Sequence, residues 1–278
     1  MKVVLAKTAG FCYGVERATR MAFKAVNGAR KPIYSLGEVI HNPQVVARLG
    51  EAGVKVVSRA ADIHEGTAIV SAHGRAAEDV DDLVARGVEI VDATCPHVRL
   101  PQKHIARLAR EGCVIVLLGD PDHAEVKAVA GYARGARVII VTGPEDLSDL
   151  AGVERVGVLA QTTQSKARFD ALVKALKVRV AEVKVHDTIC RATKERQDEA
   201  QKLARRVDAM IVIGGRSSAN TKRLAGICRA DCPRTWHIET AAELKRLRLK
   251  KTDTVGVTAG ASTPDWVIKE VVARLEER

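Results

Sequence analysis

Residues 88–96 read VEIVDATCP: a short β-branched run, an aspartate, two small residues, and a cysteine followed by an amphipathic stretch over 98–111. Such a run has the length of a buried strand, and the stretch after it has the spacing of a helix. The order is therefore strand, tight loop, Cys95, helix. Residues 180–193, VAEVKVHDTICRAT, repeat it around Cys190, and residues 1–15, MKVVLAKTAGFCYGV, repeat it with a longer loop around Cys12. Two of the three loops read D-x-x-C, from Asp92 to Cys95 and from Asp187 to Cys190.

Outward from these stretches the alternation continues along the whole chain. Strands are expected near 2–7, 33–36, 54–57, 67–71, 88–92, 113–118, 136–141, 154–160, 180–186, 207–213, 234–238 and 254–259. Helices are clearest at 14–27, 76–86, 98–111, 123–133, 166–176, 193–206 and 264–276. Strands alternating with helices point to an α/β fold with parallel sheets. Nearly every stretch rich in Gly, His, Cys, Ser or Thr follows the carboxyl end of an expected strand, among them GEVIHN, SAHG, GDPDHAE, QTTQS, GGRSSAN and TAGAS. Ligands of open parallel sheets bind at those ends, where loops meet helix N-termini.

Grouped in fours, the strands suggest an internal repeat. First loops carry His41, then His123 with Glu125, then Ser218 with Asn220; third loops carry His73, Thr162 and Ser262; fourth loops carry Cys95 and Cys190. The last group lacks a fourth strand unless the N-terminal strand, which leads into Cys12, supplies it. The expected fold is thus three similar α/β lobes with small parallel sheets, trefoil-like around a pseudo-threefold axis. The lobes are 13–96, 97–193, and 194–278 completed by 1–12. Pairing of the N-terminal strand within the first sheet would contradict this grouping.

The chain has 278 residues and a net charge of +11 from 45 Lys and Arg against 34 Asp and Glu, which favours anionic partners: nucleic acid, a phosphorylated substrate or an acidic carrier protein. Aromatic residues are 3% of the chain, too few for a stacking platform on single-stranded nucleic acid. The positive charges are dispersed, and the densest run, KRLRLKK at 245–251, lies beside no motif. No nucleic-acid partner is expected. No window approaches the ~20 apolar residues of a membrane span, and the apolar run near Met1 is too short for a signal peptide. A soluble, cytoplasmic protein without a membrane partner is the expectation.

Six cysteines in such a chain are expected to be reduced thiols, metal ligands or catalytic groups. None forms a CxxC pair, which sets aside zinc ribbons and thioredoxin-like redox sites. A thiol beside a helix N-terminus is shifted toward the thiolate that binds metal. Three such thiols on a pseudo-threefold axis suit a cubane iron–sulfur cluster with one iron left open. Zinc also accepts three cysteines and a water, so spacing alone leaves the metal undecided. Cys113 lies inside the apolar run CVIVLLG and reads as core, and Cys228 and Cys232 fall on or after a helix with no assigned role.

Over the open metal position, His41, His73, His123, Ser218, Asn220 and Ser262 would form a neutral-to-positive nest suited to a diphosphate. GGRSSANT at 214–221 is not a Walker loop, since it lacks G-x-x-x-x-G-K-[ST]. Arg216 reads equally as a phosphate contact or a surface arginine. Glu125 is the one carboxylate among these donors, which makes it the candidate general acid, with Thr162 or Thr163 orienting substrate or water.

The ordered set AGFCYGV, GEVIHNPQVV, SAHG, DATCP, QTT, DTIC-x-AT-x-x-RQ, GG-x-x-S and TAGASTP resembles the 4-hydroxy-3-methylbut-2-enyl diphosphate reductase family over essentially the whole chain. The resemblance implies a three-lobed fold around a 4Fe-4S cluster held by Cys12, Cys95 and Cys190, with one open iron. It implies reductive removal of an allylic hydroxyl, giving isopentenyl and dimethylallyl diphosphates and water. Glu125 would lie on the proton path, Thr162 near the hydroxyl, and the six residues of the nest on the diphosphate. Ferredoxin or flavodoxin would supply electrons, and a basic surface suits such acidic carriers. Competing readings are a phosphate-binding module without catalysis, a zinc hydrolase, and a paralogous reductase with another diphosphate substrate.

Three departures from the family pattern stand out. H-P-E becomes His123-Ala124-Glu125, a following E-G becomes Lys127-Ala128, and N-S-S-N becomes Ser217-Ser218-Ala219-Asn220. The last removes a hydroxyl expected on the diphosphate, worth about 1–2 kcal/mol of binding.

Overall fold

The computed structural model describes the chain except for residues 148 and 149. In chain order the strands are β1 (Lys2–Leu5), β2 (Ile33–Leu36), β3 (Val54–Val57), β4 (Thr67–Val70), β5 (Glu89–Asp92), β6 (Val114–Leu118), β7 (Val138–Val141), β8 (Arg155–Ala160), β9 (Glu182–Val185), β10 (Ala209–Ile213), β11 (Thr235–Ile238) and β12 (Thr254–Ala259). The helices are α1 (Tyr13–Gly28), α2 (Pro43–Glu51), α3 (Ala77–Ala85), α4 (Pro96–Arg110), α5 (Ala124–Ala130), α6 (Lys166–Arg179), α7 (Arg191–Ala204), α8 (Ala219–Asp231) and α9 (Asp265–Glu276). Every expected strand is present. Helices α2 and α8 fall outside the seven clear stretches; each carries a glycine, Gly50 and Gly226, which weakens the helical signal.

The strands form three parallel four-stranded sheets in the orders β3-β2-β4-β5, β7-β6-β8-β9 and β11-β10-β12-β1. Within each sheet the first strand of the set lies between the second and the third, and the fourth sits at the edge beside the third. Strand β1 fills that edge in the last sheet, pairing Lys2 with Thr254 through Leu5 with Val257.

The chain packs as two compact units. One comprises Met1–Glu16, His41–Ala47 and Arg191–Arg278, and contains the sheet with β1; the other comprises Arg17–Ile40 and Arg48–Cys190, and contains the remaining two sheets.

The period-2 direction of strand side chains explains why these runs are apolar throughout. In β6, Val116 and Leu118 pack with Phe169, Leu172 and Leu176 of α6, while Ile115 and Leu117 pack on the opposite face with Ile105 and Leu108 of α4. In β10, Ile211 and Ile213 meet Val267, Ile268 and Val271 of α9, and Met210 and Val212 meet Leu224 and Cys228 of α8. A strand covered on both faces has no solvated side to carry polar residues, so chemistry is left to the loops.

Candidate functional site

The third strand of each sheet ends in the same turn. The N–H groups of Gly74, Gln164 and Thr263 donate to the carbonyls of Ser71, Gln161 and Gly260, each at 3.0 Å. One residue into each turn, the carbonyls of Ala72, Thr162 and Ala261 accept from the N–H groups of Cys95, Cys190 and Cys12 at 3.0, 2.9 and 3.2 Å. Each candidate ligand is thus pinned to the third loop of its own sheet. This pattern corrects the register of the internal repeat: His73 and Ser262 correspond to Thr163, and Thr162 corresponds to Ala72 and Ala261. Hydrogen bonds set that correspondence, and loop spacing could not.

The D-x-x-C loops close as Asx turns, in which the aspartate accepts from the N–H two residues on. Asp92 Oδ1 accepts from Thr94 at 2.9 Å, and Asp187 Oδ1 from Ile189 at 3.1 Å. Cys95 then caps α4, Cys190 immediately precedes α7, and the Cys12 carbonyl accepts from Glu16 N–H at 2.9 Å to open α1. All three are half-buried and none is in a disulfide, whereas Cys113, Cys228 and Cys232 are buried. Burial, then the neighbouring Cys232, pushes the Cys228 thiol up to about 12, which leaves it an inert core group. Three accessible thiols at helix N-termini are a donor set that suits iron–sulfur ligation. Among the described residues no three His, Cys, Asp or Glu side chains are gathered as a metal site.

In the larger unit, Glu125 is 2% exposed and both its oxygens are held by one residue. Oε1 accepts from the Thr162 N–H at 2.6 Å and Oε2 from the Thr162 hydroxyl at 2.7 Å. His123 caps α5, its Nδ1 accepting from Glu125 N–H at 3.1 Å, so the neutral ring carries its proton on Nε2. His73 meets His123 edge-on, with ring centroids 5.5 Å apart. Thr163, next to Thr162 in the chain, is half-buried. Sequence reasoning passed over Gln161, 1% exposed, whose Oε1 accepts from Asp120 N–H at 3.2 Å while Nε2 has no partner among the described residues. A polar residue directly after a buried strand was the available signal.

In the smaller unit, the Ser262 hydroxyl donates to the His41 carbonyl at 3.0 Å, and Asn42 caps α2 by accepting from Val45 N–H at 3.0 Å. Ser218 caps α8, accepting from Thr221 N–H at 3.2 Å. Asn220 is 6% exposed, and its Nδ2 has no partner among the described residues, an orphaned donor at a helix N-terminus. The backbone comes close here: a Cβ on Gly215 would stand 2.8 Å from the His41 carbonyl oxygen. His237, read from sequence as a bystander, bonds the Gly214 carbonyl through Nε2 at 2.8 Å, and burial lowers its pKa. Arg216 is taken up by glutamates, its N–H donating to Glu239 Oε1 at 2.6 Å and its guanidinium pairing with Glu243. That settles Arg216 as a brace of its loop.

Glu199 of α7 also escaped the sequence reading. Its Oε1 accepts from Lys7 N–H at 2.7 Å, and its Oε2 from Thr8 N–H at 2.8 Å and the Thr8 hydroxyl at 2.5 Å. Burial pushes this carboxyl up, but the donors of Thr8 and Lys7 outweigh it and hold it below the usual value.

A family model described as LytB protein matches residues 3–276. The chain is 50% identical over 277 residues to a 4-hydroxy-3-methylbut-2-enyl diphosphate reductase of Geobacter sulfurreducens, covering 100% of this chain and 98% of that protein. A reductase of the same name from Geobacter sp. strain M21 is 49% identical over 276 residues, 99% of this chain and 97% of that one. Among solved structures, an (E)-4-hydroxy-3-methyl-but-2-enyl diphosphate reductase, described as the terminal enzyme of the non-mevalonate pathway, aligns with a TM-score of 0.74 at 41% identity over 100% of both chains. The Plasmodium falciparum E-1-hydroxy-2-methyl-but-2-enyl-4-diphosphate reductase aligns with a TM-score of 0.91 at 26% identity, covering 98% of this chain and 87% of that one.

Proposed function

The chain belongs to the LytB protein family, and from that premise we propose that it reduces 4-hydroxy-3-methylbut-2-enyl diphosphate to isopentenyl and dimethylallyl diphosphates. Two electrons and two protons enter, the allylic C–O bond breaks, and the hydroxyl leaves as water. Cys12, Cys95 and Cys190 would hold a 4Fe-4S cluster with one open iron. Bound there, the cluster supplies electrons and a Lewis-acidic position for the substrate's hydroxyl. The lobes 13–96, 97–193, and 194–278 with 1–12 are each built on one of the three sheets.

The observation that carries the reading is the pair Glu125–Thr162. Oε1 accepts from a backbone N–H, which cannot take up a proton in turn, so Oε2, beside a hydroxyl, would be the oxygen that carries the proton. With Oε2 protonated, it donates to Thr162 Oγ1, and Thr162 in turn donates its own hydrogen to the leaving hydroxyl. The carboxyl is buried beside the hydroxyl through which that proton would pass. Thr163 would orient the same end of the substrate. His123 presents Nε2–H, fixed by its cap, and Asn220 presents its orphaned Nδ2. With His41, His73, Ser218 and Ser262 these would bind the diphosphate. The helix N-termini at His123 and Ser218 add backbone donors.

The electron donor would be an acidic carrier of the ferredoxin or flavodoxin kind. Arg99, Lys103, Arg107 and Arg110 recur along one exposed face of α4, the helix that Cys95 caps. Raising ionic strength should slow carrier-driven reduction and leave reduction by a small chemical reductant unchanged. No helix among the described residues is long and apolar enough to cross a membrane. We place the enzyme in the cytoplasm, where thiols stay reduced.

The test is protein purified without oxygen, wild type beside Cys95→Ser. Expected is a brown wild type with several irons per chain that reduces the allylic diphosphate, and a variant depleted of iron and inactive. A wild type that stays colourless after reconstitution with iron and sulfide would overturn the proposal.

A further inference from the structure

The three cysteine loops face the same problem and solve it in two ways. Counted from the strand end, the loop before Cys95 is two residues long and the loop before Cys190 four, and in each the aspartate three residues before the cysteine, Asp92 or Asp187, accepts from the N–H two residues on. The loop before Cys12, Ala6–Phe11, is longer and has no acidic residue of its own. An Asx turn reaches only two residues on, so it cannot close a loop of that length. A longer free loop would also leave its cysteine less confined.

Glu199 lies on the other side of the same unit's sequence, in α7, and takes three donors from two consecutive residues of that loop, Lys7 and Thr8. Gly10 then turns the chain at φ +102°, where a Cβ would stand 3.1 Å from Asp265 Oδ1 and Ile268 Cδ1. The Cys12 N–H reaches the Ala261 carbonyl at 3.2 Å. A surface glutamate that merely balanced charge would pair with a lysine or arginine side chain, as Glu195 does with Arg191 at 2.7 Å. Glu199 instead spends both oxygens on the loop's backbone and hydroxyl.

We infer that Glu199 is the positioning residue of Cys12, doing from α7 what Asp92 and Asp187 do from within their own loops. This rests on Cys12 being a cluster ligand. The carboxylate is not in contact with the thiol; it sets the path of the backbone that presents it. Because the carboxylate arrives from a separate helix, the placement of Cys12 depends on the packing of α7.

The experiment loads the full chain with its cluster anaerobically, then challenges it with an iron(II) chelator in the presence of an alkylating agent. Iron release is followed by absorbance, and the alkylated cysteines are identified by peptide mass. In Glu199→Gln, Cys12 should be alkylated about tenfold faster than in wild type, with Cys95 and Cys190 following only as iron leaves. Thr8→Val, which removes one donor and keeps the backbone N–H, should shift Cys12 the same way by less. Asp92→Ala should shift Cys95 first instead, and Glu195→Gln should change nothing. Equal acceleration at all three cysteines, or an unchanged Cys12, would overturn the inference while the cluster reading stands. A wild type that holds no cluster would remove both, and is recognised before any variant is made.

Discussion

One residue, Thr162, holds both oxygens of Glu125: its backbone N–H reaches Oε1 at 2.6 Å and its hydroxyl reaches Oε2 at 2.7 Å. The two bonds are not equivalent, because only the hydroxyl can reverse its direction and pass a proton. Thr162→Val keeps the N–H bond and deletes the relay; Glu125→Gln keeps both contacts and deletes the proton. Each should lower kcat by about 10²–10⁴-fold with KM little changed. The double variant should be no slower than the worse single one, since both break one relay. Steady-state rates with a chemical reductant check this, and additive losses would count against a shared proton path.

His123 has two separable tasks. Its Nδ1 caps α5, and in the proposed reading its ring also contacts the diphosphate. His123→Asn retains a good capping side chain, so thermal stability should hold while substrate affinity falls. His123→Ala should lose the affinity and also about 1 kcal/mol of stability. Unfolding midpoints and KM measured side by side distinguish the tasks.

Ala219 opens α8 and is half-buried between the cap Ser218 and the orphaned amide of Asn220. Restoring a hydroxyl there, Ala219→Ser, should tighten diphosphate binding by about 1–2 kcal/mol. KM should fall with kcat unchanged. An unaltered KM would mean that position 219 does not face the substrate.

Asp253 braces the starts of β11 and β12. It accepts from Arg234 Nη1 at 3.1 Å and Nη2 at 2.8 Å and from Lys250 N–H at 2.7 Å. The Arg234 guanidinium, followed by the Lys250 N–H, depresses its pKa to about 2. A folded pKa below the unfolded value of about 3.9 stabilises the fold at higher pH, and that stability is lost as pH falls toward 2. Wild type should therefore exceed Asp253→Asn in stability above pH ~4, with the gap closing between about pH 4 and 2. Urea unfolding across that range is the measurement.

The twelve strands and the cysteine loops could be read directly because both are local. A strand buried on two faces has to be apolar along its whole length, as Val114–Leu118 is, and whatever polar chemistry remains is displaced to its ends. Even the pairing of β1 with β12 was implied, since the last set of strands was one short. The α8 helix was less visible, because Gly226 and a cap shared with the candidate phosphate loop blur its periodicity.

What stayed hidden was what depends on partners far apart in the chain. The equivalence of Thr163, not Thr162, with His73 and Ser262 comes from the bond between the Cys190 N–H and the Thr162 carbonyl. The inequivalence of the two Glu125 oxygens comes from a residue 37 positions away, and the support of the Cys12 loop from one 191 positions beyond Thr8. Side-chain periodicity reports which face a residue occupies; it carries no record of which distant donor meets which oxygen. Spacing along the sequence determined the fold class and pointed to candidate residues for the chemistry. Packing alone decided which donor of Thr162 meets which oxygen of Glu125 and which distant groups meet each cysteine loop.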